Sequence, residues 1–94
     1  MTDTSDNEAR ETLLEFPCEF PIKMMGRDEA AFHAAARAIV ERHAGSVSDD
    51  AIRRSHSRNA NFVSVTITIT ATSQDQLDRI YRDLTANDEV LVAL

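Results

Sequence analysis

The sequence predicts an α+β domain in which two helices cover one face of a four-stranded antiparallel sheet. Three observations lead to this prediction. The apolar residues switch between a period of two and a helical period in the order β-α-β-β-α-β. Each predicted helix carries a single apolar stripe, and the clearest strand, residues 62–72, alternates between an apolar and a polar face. With right-handed crossovers this is the ferredoxin-like βαββαβ two-layer sandwich, with strand order 4-1-3-2.

The first half of the domain is predicted to hold one strand and one helix. Residues 18–25 alternate as a strand does, and Pro21 restricts how its amides can pair. Residues 28–44 have apolar side chains at helical spacing, with Asp28 as the expected N-cap. Gly45 suits the left-handed position that follows a helix.

The second half is predicted to hold three strands and a helix. Residues 51–58 form so polar a strand that it belongs at a sheet edge. After the strand at 62–72, Ser73 and Gln76 form a capping box that starts the second helix. A short final strand over 89–94 is expected to place Val90, Val92 and Leu94 on one face.

Composition limits the classes of function. The 94 residues include 16 acidic and 10 basic side chains, a net charge of −6, which argues against nucleic acid as a partner. Residues 1–12, with four acidic side chains and one basic, are predicted to be a disordered acidic tail, and residues 13–94 a single domain. One cysteine fits a reducing compartment, and no segment reads as a signal peptide or a membrane span. We therefore expect a cytoplasmic protein without membrane contact.

One end of the predicted sheet is the candidate ligand site. The first βα loop (Gly26, Arg27) meets the hairpin tip (Arg58, Asn59, Asn61) there, beside the N-terminus of the first helix. Free amides and arginines favour a small anion such as phosphate or carboxylate. Turn geometry alone also explains these residue types, because Gly and Asn tolerate the backbone angles of tight turns.

A second candidate is a basic stripe on the polar edge strand, formed with Arg58 by Arg53, Arg54 and His56. Such a stripe could bind an acidic partner or nucleic-acid phosphates, or it could simply prevent edge-to-edge association. The open face of the third strand offers only Phe62 as an aromatic platform, which argues against sequence-specific RNA binding.

No catalytic or metal-binding constellation is recognisable. His33, His43 and His56 are expected to lie far apart and have no metal-ligand spacing. His33 is expected to be solvated, and His43 to interact with the end of the first helix. Cys18 is expected to be a small core residue. The sequence thus predicts a protein that is not an enzyme and uses no metal or cofactor.

Several segments together resemble a known family. They are Leu13-Leu14-Glu15-Phe16-Pro17, Lys23 with Met25-Gly26, Arg42-His43-Ala44, the strand from Ser64 to Ile69 with Ala71-Thr72, and the end from Val90 to Leu94. From about residue 13 to residue 94 the chain resembles the YbeD-like family of small uncharacterised bacterial proteins. At the hairpin it departs from the family, with Ala60 and Phe62 where a glycine and a tyrosine are expected.

The resemblance implies a fold similar to ACT-type regulatory domains, and it implies no catalytic residues. Such domains commonly bind small molecules, often amino acids, near the first βα loop, where Gly26 lies here, and often across a subunit interface. The favoured hypothesis is therefore a non-catalytic regulatory or ligand-binding module similar to ACT domains.

The alternative hypothesis is a protein-interaction adaptor that acts through an edge strand or by homodimerisation. It depends on the apolar final strand, because an apolar edge invites strand addition. A short edge covered by the tail or by neighbouring side chains would explain the same pattern without a partner.

Overall fold

The computed structural model describes residues 14–56, 58 and 61–94. Its elements are β1 (Cys18–Arg27), α1 (Ala30–Ala44), a 3₁₀ turn (Asp49–Ala51), β2 (Ile52–His56), β3 (Phe62–Ala71), α2 (Gln74–Ala86) and β4 (Val92–Ala93). The strands pair antiparallel in the order β2-β3-β1-β4, which confirms the predicted topology. The predicted tail (residues 1–12) and the hairpin residue Asn59 lie outside the described residues.

The sheet is built on β1 and β3, which pair over their whole length from Cys18 opposite Ala71 to Arg27 opposite Phe62. Alternate residues of these strands are buried under the helices, while the intervening side chains are exposed or half-buried on the other face. The core residues on the helices are Phe32, Ala36, Ile39 and Val40 from α1, and Leu77, Ile80 and Leu84 from α2. Because both helices cover the same face, the molecule is the predicted two-layer sandwich.

Where β1 meets α1 the structure differs from the prediction. The strand continues through Gly26 and Arg27, because Gly26 pairs with Val63 and its missing side chain leaves room for a helix residue. The helix begins at Ala30 with Glu29 in the N-cap position, so the prediction of Asp28 as the cap was wrong. The Asp28 amide instead donates to the carbonyl of Asn61 at 3.0 Å. This bond fastens the start of α1 to the β3 end of the hairpin.

The final strand is shorter than predicted and its faces differ. Val90 is buried, whereas Val92 and Leu94 are 42% and 70% exposed, so the prediction that all three lie on one face was wrong. A turn explains the change. The Val90 amide donates to the Asn87 carbonyl at 3.1 Å and directs Val90 into the core before β4 begins.

The start of α2 follows the prediction only in part. The Ser73 hydroxyl accepts a bond from the Gln76 amide at 3.0 Å, which confirms the cap. The Gln76 side chain does not return to the Ser73 amide, as a full capping box requires. Its oxygen accepts from the Thr72 amide at 2.8 Å, and its nitrogen donates to the His43 carbonyl at 3.0 Å. Gln76 therefore joins the start of α2 to the end of α1.

Candidate functional site

The predicted ligand residues that the structure describes lie at one end of the sheet. Arg27 ends β1 and is exposed, while Gly26 is buried beneath the ring of Phe32. Arg58 is exposed in the hairpin turn, and the carbonyl of Asn61 is bonded to the Asp28 amide. Among the members of the predicted set that the structure describes, Arg27 lines the cleft described below.

An open cleft of about 390 Å³ lies beside Arg27. Its other lining residues are Glu29, Asp88, Glu89 and Leu91. One guanidinium faces three carboxylates, so the local potential opposes a simple anion and favours a ligand with a cationic group. Among the described residues no polar or charged side chain is buried, so the cleft is formed by surface groups.

Near this end of the sheet, hydrogen bonds connect four polar residues into a cluster: Asp28, His33, Arg54 and His56. Asp28 bonds to His33 Nε2 through Oδ1 at 2.8 Å and to His56 Nε2 through Oδ2 at 3.0 Å. Arg54 Nε donates to the other ring nitrogen of His33, Nδ1, at 3.3 Å. The expectation that His33 and His56 lie far apart, and that His33 is solvated, was therefore wrong.

The sheet register explains this meeting. His56 and Arg54 lie opposite Val63 and Val65, whose side chains point toward the helices, so both basic residues are on the helix side of β2. The first turns of α1 place His33 beside them. Contacts between residues this distant in sequence depend on the strand register, which spacing alone does not reveal.

Hydrogen bonds determine the charge of Asp28 in this cluster. The hydrogen bond from His33, with a smaller contribution from the bond to His56, holds the pKa of the Asp28 carboxyl below its ordinary value. Within residues 14–56, 58 and 61–94, no group of three His, Cys, Asp or Glu side chains is arranged to hold a metal ion.

The predicted basic stripe is divided between the two faces of the sheet. Arg53 pairs with Thr66 and lies on the open face, whereas Arg54 and His56 lie on the helix face. A strand points successive side chains to opposite sides, so four nearby basic residues cannot form one continuous stripe on it. Arg54 and His56 are held by cluster contacts.

The large exposed hydrophobic side chains of the described chain are concentrated at its C-terminal end. Leu91, Val92 and Leu94 are 53%, 42% and 70% exposed. Backbone bonds hold this segment against β1, from the Leu91 amide to the Met25 carbonyl at 2.9 Å and from the Leu94 amide to the Lys23 carbonyl at 2.8 Å. We call residues 91–94 the apolar edge. It lies within the apolar final strand, residues 89–94, that the sequence predicts as a candidate interaction surface.

Two other sequence predictions concern the helix side of the molecule. Cys18 is half-buried and packs against the core, as expected. His43 lies in the last turn of α1, as expected, and it also bonds to the Asp83 carboxylate of α2 at 2.7 Å.

In the part of the chain that the structure describes, no helix is long and apolar enough to cross a membrane.

Comparisons with known proteins assign the chain to a family. Residues 11–94 match the family model described as "Protein of unknown function (DUF493)". A "UPF0250 protein" of Paraburkholderia phytofirmans is 38% identical over 88 residues, covering 94% of this chain and 99% of the relative. The "UPF0250 protein NE1487" of Nitrosomonas europaea is 42% identical over 74 residues, covering 79% of this chain and 85% of the relative.

A solved structure supports the fold. The solution structure of protein HP0495 from H. pylori is similar with a TM-score of 0.66, covering 86% of this chain and 85% of that chain at 15% identity. At this identity the likeness concerns the fold alone. The family match and the curated relatives confirm the resemblance seen in the sequence. The chain therefore belongs to the DUF493 family of UPF0250, or YbeD-like, bacterial proteins.

Proposed function

We propose that the domain is a non-catalytic protein-interaction module that self-associates through the apolar edge. The observation that carries the proposal is the concentration of large exposed hydrophobic side chains in residues 91–94, at the edge strand of the sheet. On the described residues of the two helices and of β3, by contrast, no large hydrophobic side chain is exposed. A contiguous exposed apolar segment on an edge is typical of a surface that another chain covers.

Charge on either side of the apolar edge favours a second copy of this chain as the partner. Lys23 lies beside Leu94 at one end, and Asp88 and Glu89 precede Leu91 at the other. If two copies pair antiparallel about a two-fold axis near Val92, the basic end of each edge faces the acidic end of the other. Such a contact is self-complementary, as an isologous dimer interface must be.

The shape of the edge predicts the strength of the contact. Because β4 has only two paired residues, it offers few backbone groups for strand addition, and the apolar side chains must supply most of the association. An interface this small falls below about 1,200 Å² in total, the range of weak and transient complexes. We therefore expect a concentration-dependent monomer–dimer equilibrium.

Sedimentation velocity over a concentration series tests this proposal. Leu94→Asp should raise the dissociation constant by about tenfold or more. A loss of about 1.4 kcal/mol of binding free energy is a factor of ten in that constant, and the substitution occurs twice in a two-fold interface. K23E and E89K should each weaken the dimer, and K23E/E89K should restore it because the charges are exchanged. Arg53→Glu, on the opposite edge strand, is the matched control and should have little effect. A monomer at every concentration, or no recovery in the double variant, would contradict the proposal.

A second candidate function is small-molecule binding in the manner of ACT-type domains, favoured by the cleft beside Arg27. An amino acid matches its charges, since the guanidinium suits a carboxylate and Glu29, Asp88 and Glu89 suit an ammonium group. Free amino acids at millimolar concentration should then raise the melting temperature, because a ligand of the native state stabilises it by mass action. Arg27→Gln should abolish the rise. If no amino acid stabilises the unchanged protein, this candidate is excluded.

A further inference from the structure

The cluster of Asp28, His33, Arg54 and His56 joins three parts of the fold. Asp28 precedes α1, His33 belongs to the first turns of α1, and Arg54 and His56 belong to the edge strand β2. The contacts between them are 2.8 Å, 3.0 Å and 3.3 Å, so the two histidines share one carboxylate and Arg54 reaches only His33. They attach β2 to the start of α1, at the end of the sheet where the candidate ligand site lies.

Donor and acceptor chemistry determines the protonation of His33 in this arrangement. A guanidinium can only donate hydrogen bonds, so Nδ1 of His33 must carry a lone pair to accept from Arg54. The ring proton is then on Nε2, which donates to Asp28 Oδ1. Both nitrogens of His33 are engaged and the ring is neutral.

We propose that this cluster is a proton-operated switch, in which protonation of His33 expels the Arg54 guanidinium and frees it at the edge of the sheet. A proton on Nδ1 puts a donor and a positive charge directly against the Arg54 Nε–H group. The bond cannot persist, because both atoms now donate and the two groups repel. The bond from Nε2 to Asp28 persists and becomes charge-assisted.

The charges around His33 determine that its protonation displaces Arg54 and not Asp28. Asp28 faces the rings from the β1–α1 connection, Arg54 and His56 face His33 and Asp28 from β2, and the ring of Phe32 lies 5.6 Å from that of His33. Among the described residues, Asp28 is the one carboxylate within 4 Å of either imidazole. Its lowered pKa keeps it charged while a histidine titrates. With both histidines neutral, the cluster has one positive and one negative charge; with both protonated, it gains two positive charges.

Nuclear magnetic resonance on the full chain tests the switch from about pH 8 to about pH 5, the range in which an ordinary histidine changes charge. At the upper end, the ¹⁵N shifts of His33 should show the proton on Nε2, and the Arg54 Nε–H signal should be resolved and protected from water. As His33 gains its second proton, the Arg54 signal should broaden and lose its protection along the same titration curve.

Two variants separate the switch from a general effect of acid. In His33→Gln the amide oxygen can still accept from Arg54 but does not titrate, so the Arg54 signal should become independent of pH. Arg53→Gln, which removes the adjacent arginine on the opposite face, should leave the pH dependence of the Arg54 signal unchanged. A proton on Nδ1 of His33 at the upper pH, or the same loss of the Arg54 signal in His33→Gln, would overturn the proposal.

Discussion

At the scale of single residues, Gly26 shows how packing can explain a residue that sequence patterns suggest is functional. A Cβ built on Gly26 would lie 2.5 Å from Phe32 Cδ1 and 2.7 Å from two further ring carbons. Phe32 is fully buried, so the ring cannot move away without disturbing the core. The glycine is therefore accounted for by the close approach of α1 to β1, without a ligand.

Gly26→Ala is expected to lower the free energy of unfolding by about 1–3 kcal/mol, the cost of overpacking a close-packed core. Chemical denaturation measures this loss. In Gly26→Ala/Phe32→Leu the smaller side chain should accommodate the new methyl group, so the double variant should lose less stability than the sum of the single ones.

Gly45 provides the matched control for Gly26. It has φ of +80° and nothing within 4 Å of an added Cβ, so Gly45→Ala strains only the backbone, by about 1–2 kcal/mol. Its effect should add to that of Phe32→Leu. If Gly26→Ala and Phe32→Leu were also additive, the steric explanation of Gly26 would be wrong.

At the scale of elements, the last turn of α1 is joined to α2 by polar contacts. The Gln76 side chain reaches the His43 carbonyl, and Asp83 bonds to His43 at 2.7 Å and approaches Arg42 at 3.5 Å. These bonds are additional to the apolar packing between α1 and α2. They fix the relative position of the helices along their axes, which apolar packing alone specifies less sharply.

The elements also show what the sequence could predict. Strand β3 and helix α2 were recognised because their burial follows one period from end to end. Strand β4 was predicted too long, over 89–94 instead of Val92–Ala93, because a local turn from Asn87 to Val90 precedes it, and turns depend on hydrogen bonds that periodicity does not contain. The Asp28 cluster could not be predicted for a related reason. It needs the register of β2 on β3, together with the distance between β2 and α1, to bring His33 and His56 to one carboxylate.

At the scale of the whole molecule, the described chain separates an apolar core from a charged surface. The core contains sixteen buried apolar residues and, among the described residues, no buried polar side chain. Several surface ion pairs join neighbouring elements, as Asp28 does between α1 and β2, and Asp83 between α1 and α2. At the apolar edge, large apolar side chains are exposed instead of buried, which is why the proposed contact between copies is located there.

This distribution of charge predicts how the stability of the whole domain depends on pH. Hydrogen bonds lower the pKa of three carboxyls below their ordinary values: the strongest contribution comes from His33 for Asp28, from the Val47 amide for Glu41, and from His43 for Asp83. A carboxyl whose pKa is lower in the folded state binds fewer protons there than in the unfolded chain. Its contribution to stability is complete above the unfolded pKa, near 3.8 for Asp and 4.5 for Glu, and is lost as pH falls through the folded value.

Asp83→Asn isolates one of these contributions, because it removes the charge and keeps the shape. Denaturation at a series of pH values from about 5 to about 2, below the main range of histidine titration, should show the unchanged protein losing stability toward acid. In Asp83→Asn the loss should be smaller, so that the two curves differ at the upper end and converge at the lower end. Asp88→Asn, which changes an exposed loop carboxyl outside these pairs, is the control and should run parallel to the unchanged protein. Parallel curves for Asp83→Asn as well would mean that the bond to His43 does not couple the proton of Asp83 to folding.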